Sequence, residues 1–102
     1  MKVSKAFEAF AQEAPAVQGA WMEFVQTLDK TSALDKKTEE LAYIAVLAVV
    51  RLEGGLPFHV KMAKAHGATR AEIISAVLVG LPAAGNIVIQ ALPIALAAFD
   101  EE

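Results

Sequence analysis

One hundred and two residues make a single domain, spanning 1–102, with room for a modest core. Apolar residues make up 56% of the chain and charged residues 21%, a folded composition and not a disordered one. The net charge of -3, with Lys and Arg few and scattered, excludes a basic nucleic-acid face, and the absence of cysteine excludes disulfides, thiolate metal sites and any thiol nucleophile.

The N-terminus has no apolar stretch of signal-peptide length before a charge intervenes, and the cytoplasm is the expected location. Residues 4–14 read as a short helix, with Ser4 as its N-cap and Phe7, Phe10 and Ala11 on one face. Pro15 ends it and suits the first turn of the next helix. There Val17, Trp21, Phe24, Val25 and Leu28 recur at the spacing of one helical face, with Trp21 anchoring the core or an interface. A polar connection follows over 29–35. Asp35 is placed to cap the free N–H groups of a helix whose first turn carries Glu39 and Glu40. That helix runs through 41–50 with apolar residues all round, which predicts burial.

Gly54-Gly55 breaks this helix and Pro57 opens another. Phe58, His59, Met62 and Ala63 are placed inward there, Lys61 and Lys64 outward, and Gly67 at the C-terminal end. Thr69-Arg70-Ala71-Glu72 is a capping box. A helix over 73–81 follows, Pro82 ends or kinks it, and a last helix runs from about Gly85 towards Phe99. The pattern is all-α, a compact bundle of about six short helices. Residues 73–99 carry no charge, and a membrane span needs ~20 mostly apolar residues. Gly80, Pro82, Gly85, Asn86, Gln90 and Pro93 interrupt the run, so we read two buried helices and no membrane partner. So much apolar surface on so short a chain points to a homo-oligomer, with 41–50 and 73–99 at the interfaces.

Two proton-handling groups bracket the central helix. Glu40 stands at its start, and His59 lies one turn into the next segment; histidine as a residue type, with an unperturbed pKa of ~6.5, is the best general acid or base in the chain. Each also has a plainer reading: Glu40 as a carboxylate favoured by the helix start, His59 as a hydrogen-bonded core histidine. Arg51 follows Glu40 on the same face, roughly 16 Å along the helix, too far to touch it. It can bind an anionic substrate, or pair with Glu53 or a neighbouring subunit. His66, beside Gly67, reads as a cap or as solvent-facing. It lies two turns from His59, too far to share an ion, and no phosphate loop or nucleotide fingerprint is present. No metal and no cofactor are expected.

The stretch Arg51-Leu-Glu-Gly-Gly-Leu-Pro-Phe-His59-Val-Lys-Met-Ala-Lys-Ala-His-Gly67-Ala-Thr-Arg-Ala-Glu72-Ile resembles the carboxymuconolactone decarboxylase family, and within it the branch of small alkylhydroperoxidase-D-like proteins. Pro15-Ala-Val, Leu34-Asp35-Lys-Lys-Thr-Glu-Glu40-Leu and Gly80-Leu-Pro82-Ala fit the same register, so the resemblance covers nearly the whole chain. It implies an all-α fold that assembles as trimers or hexamers. In the redox branch a glutamate at the position of Glu40 precedes a Cys-x-x-Cys pair, which a histidine follows four residues later. The two acids and bases relay protons to and from the thiols. Glu40 and His59 match that pattern, but the cysteine positions fall on Leu52 and Gly55. Membership alone would imply peroxiredoxin-type activity; without a thiolate the residues do not support it. The decarboxylase branch removes carbon dioxide from an unsaturated lactone acid without thiols, and its corresponding segment is richer in charge than residues 52–58.

Two functions follow from the resemblance. The first is a cysteine-less acid–base protein binding or transforming a small organic acid or lactone, with Glu40 and His59 catalytic and Arg51 binding the substrate. The second is a non-catalytic homo-oligomeric binding or scaffold protein on the same fold. The first requires Glu40 and His59 to approach each other, directly or through one water.

Overall fold

A computed structural model describes residues 3–101. Among them the chain forms α1 (Lys5–Glu13), α2 (Pro15–Thr31), α3 (Lys36–Val50), α4 (Leu56–Ala65), α5 (Arg70–Leu78), α6 (Leu81–Ala84) and α7 (Leu92–Asp100). Two 3-10 segments, Glu53–Gly55 and Gly85–Ala91, complete it. The central α3 packs on α4 and α5, and α4 packs on α7.

Local hydrogen bonds set the element boundaries. Ser4 caps α1 by accepting from the Phe7 N–H at 3.2 Å, and Asp35 caps α3 by accepting from the Thr38 N–H at 2.8 Å. Pro15 opens α2, where its missing N–H costs no helical hydrogen bond. At the far end of α3, Arg51 takes the left-handed conformation at φ 62 and ψ 32, and the Arg51 and Leu52 N–H groups both donate to the Leu47 carbonyl. Gly67, at φ 96, supplies the reversal after α4. Thr69 and Glu72 form the expected capping box, with reciprocal bonds of 3.1 and 2.9 Å.

Beyond α5 the structure departs from the sequence reading. No continuous helix runs from Gly85 to Phe99. Residues Gly85–Ala91 are 3-10, and α7 begins only at Leu92, with Pro93 in its first turn. By length and composition Arg70–Asp100 would pass for a membrane span, at a mean hydropathy of 1.9. Here it is divided into four pieces, and α5 and α7 pack against each other as a folded-back pair.

The core lies between α3, α4, α5 and α7. Ile44, Leu56, Val60, Ile73, Val77 and Val88 are all fully buried. Three basic side chains tie down the end of α7, where a helix favours cations. Arg70 makes a two-pronged contact with Asp100 at 2.9 and 3.0 Å, Lys64 donates to the Phe99 carbonyl at 2.6 Å, and Lys61 pairs with Glu101.

Two helices hold less of the core than their pattern suggests. Neither α1 nor α2 contains a buried residue, and α2 turns Gln18, Met22, Val25 and Asp29 inward only partway. The stripe of Val17, Trp21, Phe24 and Leu28 is exposed, so Trp21 does not anchor the core of its own chain. The expected burial of α3 holds for one half of its surface. Ile44, Leu47 and Ala48 are buried, while Tyr43, Val46, Val49 and Val50 face outward.

The capping carboxylates make stability depend on pH. Hydrogen bonding to Thr38 lowers the Asp35 pKa, the Thr69 backbone and Lys37 lower that of Glu72, Arg70 lowers that of Asp100, and Lys36 lowers that of Asp29. A carboxyl depressed in the folded state adds stability that is fully present above its unfolded pKa, about 4, and lost as pH falls through the folded value. Urea midpoints are therefore expected to be level between about pH 7 and 5 and to fall below about pH 4. Asp35→Asn keeps a capping oxygen without the titration, and should flatten part of that fall; midpoints that rise on acidification would contradict the account.

Candidate functional site

The site is built where the first turns of α3 meet α4. Asp35 fixes where α3 starts, and so places Glu40 in its second turn, on the same side as Ile44. The reversal at Arg51 and the 3-10 turn send the chain back along α3 as α4. His59 then stands in the first turns of α4, one residue before the buried Val60.

These two elements bring Glu40 and His59 into direct contact. His59 Nδ1 lies 2.8 Å from Glu40 Oε2. Glu40 is 8% exposed and is the charged residue among the buried positions described. A carboxylate can only accept, so it selects the histidine form with hydrogen on Nδ1. A neutral His59 then carries its lone pair on Nε2, the nitrogen turned away from Glu40. A carboxylate orienting an imidazole in this way makes a general base at Nε2, and a general acid once that nitrogen is protonated. The His59 side chain keeps 26% of its surface exposed, while the carboxylate behind it is sheltered.

Two aromatic rings bracket the imidazole. The Tyr43 ring centroid lies 4.4 Å from that of His59, and the Phe58 ring meets it edge-on at 5.2 Å. Tyr43 was not among the residues that sequence reasoning selected for the site. Its spacing of three from Glu40 on α3 is the signal that places both beside one neighbour on α4.

The structure does not bring Arg51 to this pair. Arg51 is exposed at the left-handed end of α3, where its Nε donates to Glu53, the first of the pairings open to it from sequence. His66 ends α4 in solvent, with its Nδ1 2.9 Å from the Met62 carbonyl oxygen. Among the described residues, no three potential metal ligands converge. The two positions that the resemblance matches to cysteines lie at the 3-10 turn, Leu52 just before it and Gly55 as its last residue. Leu52 is 60% exposed, and Gly55 sits at φ -86, an ordinary right-handed conformation and not one reserved for glycine.

The model of the carboxymuconolactone decarboxylase family matches residues 15–97, and the chain belongs to that family. It is similar to the crystal structure of an apo carboxymuconolactone decarboxylase family protein from Legionella pneumophila, at 27% identity and a TM-score of 0.79. That match covers 93% of this chain and 85% of the other. No curated protein matches the sequence at a significant level.

Proposed function

We propose that this protein is a cysteine-free, acid–base member of its family, in which His59, oriented by Glu40, moves a proton to or from a small organic acid or lactone. The observation that carries this reading is the 2.8 Å contact between a sheltered Glu40 and a partly exposed His59. Within the family we place the chain nearest the alkylhydroperoxidase-D-like branch, because Glu40 and His59 hold that branch's register. Its thiol chemistry does not come with the register, since no cysteine is present. We also propose that the protein is a homo-oligomer, trimer or hexamer, acting in the cytoplasm without nucleic acid or membrane.

The test follows the α-hydrogens of an unsaturated lactone acid in D2O by NMR. The parent protein is expected to accelerate their exchange or the loss of carbon dioxide. His59→Gln should slow the reaction by ~10²–10⁴, and Glu40→Gln by less, because Glu40 orients the base and does not itself take the proton. Equal rates in parent and variants would remove the acid–base role. The second reading, a non-catalytic homo-oligomeric scaffold, would then stand on the exposed apolar faces of α2 and α3.

A further inference from the structure

We infer that the exposed stripe of α2 seats in a groove on the outer face of α3 of a second copy of this chain, and that this contact covers the open edge of the Glu40–His59 site. The inference rests on the homo-oligomer proposed above and specifies which surfaces meet. On α2 the knobs are Val17, Trp21, Phe24 and Leu28, between 46% and 61% exposed, with the Trp21 and Phe24 rings 5.8 Å apart. Among the described residues, this run of large apolar side chains on a 17-residue helix with no buried residue is left about half uncovered.

The groove has the opposite character. It is open, about 270 Å³ in volume, and lined by Ala45, Val46, Val49, Val50 and Gly80, all apolar and none larger than valine. Gly80 keeps it that way: a Cβ at this position would lie 2.7 Å from Val49 Cγ2. Large side chains on one helix thus face outward beside a hole walled by small ones on another.

The occupant is a second copy and not the chain's own α2. Asp29 lies on the inward face of α2 and pairs with Lys36 at the start of α3, which holds the stripe pointing away. The four stripe residues expose roughly 400–500 Å², and the five groove residues less, so the contact approaches the size of a specific interface only when its rim is added. Pairing α2 with α2 would set knob against knob. Pairing α2 with α3 gives each protomer one knob face and one hole face, which two copies can exchange about a two-fold axis or which can run head to tail around a ring.

The contact reaches the site through Tyr43. This residue is 43% exposed, precedes Val46 by three on the same outward arc of α3, and lies against the His59 ring. A second copy's α2 along that arc therefore covers Tyr43 and narrows the approach to His59 Nε2. The site of one chain is finished by the arm of another.

The absence of cysteine makes the test clean. Phe24→Cys with Val46→Cys in one chain, oxidised and run without reductant, is expected to give a ladder of cross-linked species ending at the size that light scattering reports for the parent. Leu28→Cys with Val50→Cys is the second pair, and circular dichroism checks that each variant keeps its helices. Phe24→Cys alone should give little dimer. A parent that is monomeric at micromolar concentration overturns both the assembly and this contact. A stable oligomer whose pairs give no ladder, or whose cysteines join within one chain, overturns the contact and leaves the assembly standing. Efficient dimer formation by Phe24→Cys alone also overturns it, in favour of α2 against α2.

Discussion

Leu52→Cys combined with Gly55→Cys is expected to create a peroxide-consuming enzyme where the parent has no thiol turnover. The geometry of the break after α3 allows it. The Gly55 N–H donates to the Leu52 carbonyl at 3.1 Å, so the two positions span one tight turn. The ends of such a turn fall within the ~4.4–6.8 Å Cα separation that a disulfide requires. At φ -86, Gly55 accepts a side chain without left-handed strain, and its Cβ would meet Leu47 Cδ1 at 3.6 Å, an ordinary contact. Position 55 is also the N-cap of α4, where the helix favours a thiolate.

The reaction then follows from the residues. One thiolate attacks the peroxide O–O bond, forming a sulfenic acid and releasing water or an alcohol once a proton is supplied. The second thiol displaces hydroxide from that sulfur, which leaves as water, and the resulting disulfide is returned to two thiols by an added dithiol. His59, one turn beyond position 55 on α4 and backed by Glu40, is the proton source and sink. Peroxide consumption with a dithiol reductant should be absent in the parent and catalytic in the double variant, and adding His59→Gln should lower it by ~10² or more. Thiol-dependent turnover by the cysteine-free parent would refute the central negative claim. A folded, inert double variant would show that the glutamate–histidine pair does not reach these positions.

The largest effect on stability is expected from Ile44→Ala. Ile44 is fully buried, follows Glu40 by one turn on α3, and belongs to the core with Leu47, Leu56 and Val60. Removing most of its side chain leaves a cavity at the α3–α4 contact, at a cost of about 2–5 kcal/mol. A domain of this size has a total stability of about 5–15 kcal/mol, so the urea midpoint should drop steeply with an unchanged slope. Val46→Ala, two residues away but facing outward, should cost much less in a dilute monomer. Both need measuring at one fixed protomer concentration, since association adds to apparent stability. A loss below about 1 kcal/mol for Ile44→Ala would contradict the packing described.

What could be read from the sequence was what neighbouring residues settle among themselves. Ser4, Asp35 and the Thr69–Glu72 box fix helix starts through hydrogen bonds three residues long, and all three stand where their residue types place them. The meeting of Glu40 and His59 is a contact between helices, and it was legible only through the family register of the Gly54-Gly55 break. Periodicity could not tell a chain's own core from a neighbour's surface, so α3, apolar all round, read as buried throughout. Trp21 was open in the same way, since an interface and a core demand the same side chain. The 3-10 stretch over Gly85–Ala91 was hidden because its apolar residues suit either helix type. The left-handed turn at Arg51 was also hidden, because the nearby glycines drew the expected break three residues too far along.

The bare surface of α1 and α2 also bears on the order in which the protein takes shape. Every buried residue described lies from α3 onward, so the core can form in a step of its own. The arm contributes no buried side chain to that step. It touches the body at few places, with Ser4 beside Gly54 and Asp29 on Lys36. During synthesis the arm is made first, and the core it rests on is complete only when α7 has left the ribosome. The first two helices therefore wait, apolar stripe outward, through the whole of translation. On the assembly proposed above, their lasting partner is another finished chain, and the supply of neighbours then sets when they come to rest.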